Sequence, residues 1–217
     1  MNYTELHQAL VDFNENDEES FIDTIPLFVK QAEQRTFNTV LFPALRKNVE
    51  GTLTPENRFL AAPEDFLGVS SLAVIDSAGA YSFLMNKDVN FIRAAYPSPT
   101  DTGVPRFYAL YGPRSDNEAE LTFLLGPTPN DVYDVSLHYF YYPQSIVEAG
   151  TSWLGDNFDS VLLYGAMAEA CIFMKGEADL LATYDTKFKE SLAMAKRLGE
   201  GLERGDTYRT GEPKQPL

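Results

Sequence analysis

From Asp156 to Lys175 the chain carries Phe158, Val161, Leu162, Leu163, Tyr164, Ala166, Met167, Ala168, Ala170, Cys171, Ile172, Phe173 and Met174. At helical periodicity this run leaves little polar face, and a helix that is apolar nearly all round must be covered on most of its sides. Gly165, Ala166, Ala168 and Ala170 are small enough to let neighbouring helix backbones come close. Whatever else the chain does, it must supply or find that cover.

Other helical segments lie at both ends. Tyr3, Leu6, Leu10 and Phe13 recur at steps of three and four, with Thr4 as a candidate cap. Ile25, Phe28, Val29, Ala32 and Thr36 repeat the spacing, which predicts a second helix capped by Asp23 or Thr24 with Pro26 in its first turn. After Gly176, a stripe of Leu181, Tyr184, Phe188, Leu192, Ala195, Leu198 and Leu202 predicts a helix of about 27 residues, about 40 Å long and longer than its own domain needs. Thr207 to Leu217, with Gly211, Pro213 and Pro216, reads as an extended tail.

From Leu45 to Tyr142 the pattern changes. Glycines and prolines punctuate short β-branched and aromatic runs, which predicts strands at 47–54, 58–61, 67–76, 81–85, 106–111, 119–125 and 131–142, with one helical insertion between Asn86 and Tyr96. The clearest strand is the last, where Tyr133, Val135, Leu137, Tyr139 and Tyr141 alternate with Asp134, Ser136 and His138. The fold class is therefore α+β: a helical bundle formed by the N- and C-terminal helices, with an inserted antiparallel β-rich domain. The boundaries read as 1–44 and 151–205 for the helical core, 45–150 for the insertion and 206–217 for the tail.

Charge and motifs narrow the function. Seventeen basic against 32 acidic residues give the 217-residue chain a net charge of −15, which repels phosphate backbones and argues against a DNA reader. Cys171, the one cysteine, has no internal partner and sits in an apolar run as an inert thiol. The first ten residues lack the basic start and apolar stretch of a signal peptide, no apolar window is long enough to span a bilayer, and a cytosol-like setting is expected. His7 and His138 announce no metal spacing, and the nucleotide-loop, nucleophile-elbow and zinc-protease motifs are missing. Asp12, Asn14, Asn16, Ser20 and Asp23 match five positions of a calcium loop, but Asp17 stands where its sharp turn needs glycine. No catalytic residue, cofactor or metal is expected. Tyr139, Phe140, Tyr141 and Tyr142 could form a stacking platform for sugars, though strands favour aromatics for packing alone. Trp153 reads as an anchor pinning the sheet to the helices. Pro97–Pro105 and Gly112–Glu118 are loop candidates for partner contact.

The order of segments resembles a known family. A helix pair containing Gln31-Ala32-Glu33 is followed by Leu45-Arg46-Lys47-Asn48 entering the sheet, Pro63 to Leu67, and Leu125-Gly126-Pro127-Thr128-Pro129. Then come a strand ending at Tyr141-Tyr142-Pro143, a turn at Thr151-Ser152-Trp153-Leu154, and a helix containing Leu163 to Ala170. Shared order along nearly the whole chain is similar to the head-to-tail adaptor proteins of short-tailed bacteriophages.

That resemblance implies a structural virion protein at the head-tail neck, assembled in the host bacterial cytoplasm. It implies a ring, usually of twelve copies, between the portal protein and the tail nozzle protein, through which double-stranded DNA passes without sequence recognition. The apolar helix adds the expectation that Leu162, Gly165, Ala166 and Phe173 complete their cover against neighbouring subunits; the resemblance implies that the C-terminal segment docks on the portal, with Tyr208, Arg209, Pro213, Pro216 and Leu217 as its candidate contacts. A carbohydrate-binding tail module and, less favoured, a hydrolase using carboxylates of the β-domain are the alternatives. No membrane partner is implied.

Overall fold

A computed structural model describes residues 1–114 and 117–203. It divides into two compact units: Met1–Ala44 with the chain from Pro143 onward, and Leu45–Tyr142. The fold is α+β.

The first unit contains α1 (Tyr3–Asn14), α2 (Glu19–Thr39), α4 (Ile146–Ala149), α5 (Trp153–Asn157), α6 (Asp159–Phe173) and α7 (Ala178–Glu203). α6 is enclosed by its own chain: α1, α2, α5 and α7 all pack on it. Leu6 and Leu10 of α1 and Phe21, Ile25, Phe28, Val29 and Ala32 of α2 are buried, as the three-and-four spacing requires. The tightest point is Gly165. A Cβ there would stand 2.8 Å from the Ala32 Cβ and 3.2 Å from the Phe188 ring, so the absent side chain is what lets α2 and α7 close on α6 together.

Local chemistry moves several helix ends. Asn2, not Thr4, caps α1: its side chain accepts from the Glu5 N–H while the Glu5 carboxylate accepts from the Asn2 N–H, a reciprocal box that satisfies two otherwise unpaired donors. α2 starts at Glu19, ahead of the expected Asp23 or Thr24, so Pro26 lies inside the helix. Two acidic residues at that start, Glu18 and Glu19, complement the helix dipole without a side-chain cap. The expected single helix from Asp156 is two, because Phe158 leaves helical geometry (φ −147°, ψ 54°) and Ser152 caps the shorter piece by accepting from the Gly155 N–H. Trp153 packs its ring on Phe42 and Phe158, within the helical unit, so the contact found is helix to loop instead of sheet to helix.

The boundary read at residue 150 is corrected to Pro143. The segment after the last strand forms α4, and Glu33 of α2 holds it by accepting the Ile146 N–H at 2.8 Å.

The second unit is two four-stranded sheets. One has the order β1 (Arg46–Leu53), β10 (Tyr133–Tyr141), β3 (Phe66–Ile75), β4 (Tyr81–Phe83), antiparallel throughout. The other has the order β2 (Phe59–Ala61), β8 (Asn117–Gly126), β7 (Phe107–Arg114), β5 (Met85–Asn86), with only β5 and β7 parallel. Alternation decides which side chains enter the shared core: Val135, Leu137 and Tyr139 from β10 meet Tyr108, Phe123 and Leu125 from β7 and β8. The intervening residues Ala109 and Leu124 face the other way, where Ile92 of α3 (Val89–Ala95) covers them. The short pair β6 (Thr102–Gly103) and β9 (Thr128–Pro129) carries no periodic signal and escapes a sequence reading.

Replacing Gly165 with leucine forces a side chain between Ala32 and Phe188, and should destabilise the protein by about 1–3 kcal/mol. Urea unfolding followed by circular dichroism checks this; an unchanged midpoint would mean that the three helices do not depend on the gap.

Candidate functional site

The expected subunit-interface residues lie differently from their sequence reading. Leu162 and Ala166 are buried and Gly165 is sealed by Ala32 and Phe188, so these three are covered by the same chain. The reading that α6 needs neighbours for its cover is corrected: its partners were elsewhere in the same sequence, at a separation that periodicity does not reveal. Phe173 is 45 % exposed; it packs at 5.4 Å on Phe28 and at 6.4 Å on Phe21, and Ile172 beside it is also exposed. Tyr208, Arg209, Pro213, Pro216 and Leu217 lie outside the described residues.

Beside α6 is a shallow apolar groove of about 320 Å³, lined by Ala168, Ile172, Ala178, Leu181 and Ala182 with Arg35 and Asp185 at its polar end. Lys189 and Arg35 both bond the Asp185 carboxylate and hold its pKa below the usual carboxylate range. Arg35 also lies 4.5 Å over the Phe188 ring, so one guanidinium ties α2 to α7 through charge and through the ring face. Farther along α7, Phe188, Leu192 and Ala195 are buried, but Leu198 on the same stripe is 49 % exposed. Among the described side chains the buried part of that stripe therefore ends at Ala195.

Glu33 is the one buried acid among the described residues. Desolvation pushes its pKa up, and the bond from the Ile146 N–H only partly offsets that. Lys30 pairs at 2.8 Å with Glu148, one turn beyond.

The calcium-like pattern does not converge. Asn14 donates to the Leu10 carbonyl, Asn16 accepts from the Glu18 N–H, and Ser20 and Asp23 lie within α2. Among the described residues no group of three or more His, Cys, Asp or Glu is placed to hold a metal ion. The aromatic run at the end of β10 is split by alternation. Tyr139 is buried with its hydroxyl donating to Asp65 at 2.8 Å, while Phe140 takes Arg46 over its ring and Tyr141 takes Lys47. Burial and the neighbouring Asp65 push the Tyr139 pKa up to about 12, so this hydroxyl stays protonated and serves as a donor. A flat sugar platform does not form there. Of the two candidate loops, Gly112 to Arg114 belongs to β7, and the stretch from Pro97 contains β6, tied to β9.

The β-unit also carries an exposed apolar segment, which the sequence reading missed. Tyr81, Phe83 and Met85 are 53 %, 68 % and 58 % exposed, on alternate residues of the segment that closes one sheet and opens the other. The alternation itself was readable, but not that the strand is an edge. No helix among the described residues is long and apolar enough to cross a membrane.

Exposed apolar side chains at β4, in the last turn of α6 and along α7 are surface available for contact with other proteins. Residues 1–213 match the family model of the SU10 adaptor protein, and the chain belongs to that family of bacteriophage structural adaptors. No curated protein matches the sequence.

Because the folded pKa of Glu33 lies above its ordinary 4.5, the folded state holds this proton at a pH where the unfolded chain has lost it. The stability it contributes is therefore full below about pH 4.5 and falls as pH rises toward the folded pKa. Glu33→Gln keeps an oxygen for the Ile146 N–H and should flatten that limb in pH-dependent urea titrations. An unchanged slope would show that the carboxyl does not titrate in the fold.

Proposed function

We propose that this adaptor forms a closed ring of twelve copies between the portal protein and the tail nozzle protein, and that the ring encloses the passage through which double-stranded DNA leaves the capsid. The family match along nearly the whole chain carries this reading. The ring is architecture and turns over no substrate. It is a virion component of the head-tail neck, put together in the host bacterial cytoplasm.

Two physical features support it. With 32 acidic against 17 basic residues, walls of such a ring would form few counterion-releasing contacts with phosphates, so DNA would slide without sticking. The exposed apolar positions Phe173, Leu198, Tyr81 and Phe83 are costly on a lone subunit and are satisfied when identical contacts close on themselves. Tyr208, Arg209, Pro213, Pro216 and Leu217 are assigned to the portal because a proline-bearing segment lies readily along another protein as an extended strand.

Mixing the protein with its portal protein and imaging by electron microscopy tests the reading. Coaxial rings on the portal are expected, and their loss on removal of residues 207–217. Portals that stay bare would refute the assignment; rings that persist without the tail would refute only the docking role of those residues.

A further inference from the structure

The sheet β1-β10-β3-β4 has two open edges among the described residues, and the two are complementary. Each neighbouring pair is antiparallel, so β1 and β4 run in opposite directions. Set side by side in successive copies, they would form another antiparallel pair and the sheet would continue.

The main-chain groups at both edges can be assigned. Ala80 accepts from the Asp76 N–H at 3.1 Å and Leu84 donates to the Leu72 carbonyl at 2.9 Å, so residues 80, 82 and 84 turn toward β3. The N–H and C=O of Tyr81 and Phe83 therefore point to the open edge. At the other edge the Leu45 carbonyl accepts from the Tyr141 N–H at 3.2 Å, which turns Leu45, Lys47, Val49 and Gly51 toward β10. Arg46, Asn48, Glu50 and Thr52 present their main chain outward.

Side chains agree with this. Val74 faces the core, and Tyr81 and Phe83 lie on the opposite face, with their rings 6.5 Å apart and stacked at 29°. On β1 the outward residues share that same outer face, beginning with the cationic Arg46. Left alone, an aromatic edge strand such as β4 is a template for pairing with any chain. β4 is short, three residues, but carries neither a charge nor a proline.

We infer that copies of this chain join head to tail through these edges, β4 of one copy adding antiparallel to β1 of the next, so that the sheet runs from subunit to subunit. The contact is heterologous, which is what a ring requires. This rests on the ring proposed above and names the strands that close it.

Proline at an outward-facing position removes one edge donor and spares the internal ladder. Phe83→Pro spoils the β4 edge and Glu50→Pro the β1 edge; Ser82→Pro, which breaks the pairing with β3, is the control for misfolding. With portal protein present, each edge variant should keep the wild-type circular dichroism and melting temperature, while the yield of closed rings by electron microscopy falls about tenfold or more. An equimolar mixture of the two edge variants retains one good β4 edge and one good β1 edge. It should give dimers by mass photometry and no closed rings.

Rings from both folded edge variants at wild-type yield would overturn the inference and leave the ring itself standing. Ring yield lost together with recovery of full rings in the mixture would also overturn it, since the edges would then not pair with one another. If a variant unfolds like Ser82→Pro, Phe83→Lys and Glu50→Lys enter the same assay and are read in the same way, except that their mixture is not used. Wild-type protein that forms no ring on the portal would defeat the proposed function and this inference together.

Discussion

The closure of α2 and α7 on α6 at Gly165 is the contact on which the helical unit depends. α6 is apolar on nearly every side, and such a helix stays exposed to water unless two or more partners reach it closely. A missing Cβ at Gly165 lets Ala32 and Phe188 approach from different helices at once. Arg35 then fixes the pair from outside, bonded to Asp185 and laid on Phe188. With α6 satisfied in this way, the exposed apolar side chains of the unit are scattered: Phe13 on α1, Leu27 on α2, Leu41 after it, Ile172 and Phe173 in the last turn of α6, and Leu180, Met194 and Leu198 on α7. The core of the unit is therefore closed by the chain itself, and what it offers to any other protein is this outer surface.

The β-unit solves a different problem. Two sheets share one core through strict alternation, and α3 covers the outer face of the second. Close approach again uses glycine: a Cβ at Gly126 would meet Ile92 and Tyr96 at 2.8 and 2.9 Å. The Lys47, Asp65 and Tyr139 cluster at the sheet's end is a fixed polar lock. Its tyrosine pKa is driven upward, away from the range in which a phenol could act as a base near neutrality. The β-unit thus combines a packed centre with sheet edges, β1 and β4, that no other strand among the described residues covers.

Membership in the SU10 adaptor family gives these features a setting. The helical unit is tied internally by charge at Arg35, Asp185 and Lys189, whereas the sheet leaves the aromatic side chains Tyr81 and Phe83 of its edge strand exposed. Substitutions within the first kind of surface should act on folding, and within the second on assembly.

Much of this was legible in the order of residues. Helical spacing marked Leu6, Leu10, Ile25, Phe28, Val29 and Ala32 as a buried face, and period-two alternation marked Val135, Leu137 and Tyr139, because those repeats follow from backbone geometry alone. Helix ends were less legible: Asn2 caps α1 and Phe158 divides α5 from α6 through single side-chain and dihedral choices that no repeat encodes. The sequence by itself determined that α6 needed cover and that the stretch from Tyr81 to Met85 would be extended, though the structure divides it into β4 and β5. Only the tertiary structure decided that the cover comes from the same chain, and that this stretch closes one sheet and opens the next with its outer side bare. Periodicity records which face of an element is apolar; the partner of that face is set by contacts between residues more than a hundred positions apart, such as Glu33 with Ile146.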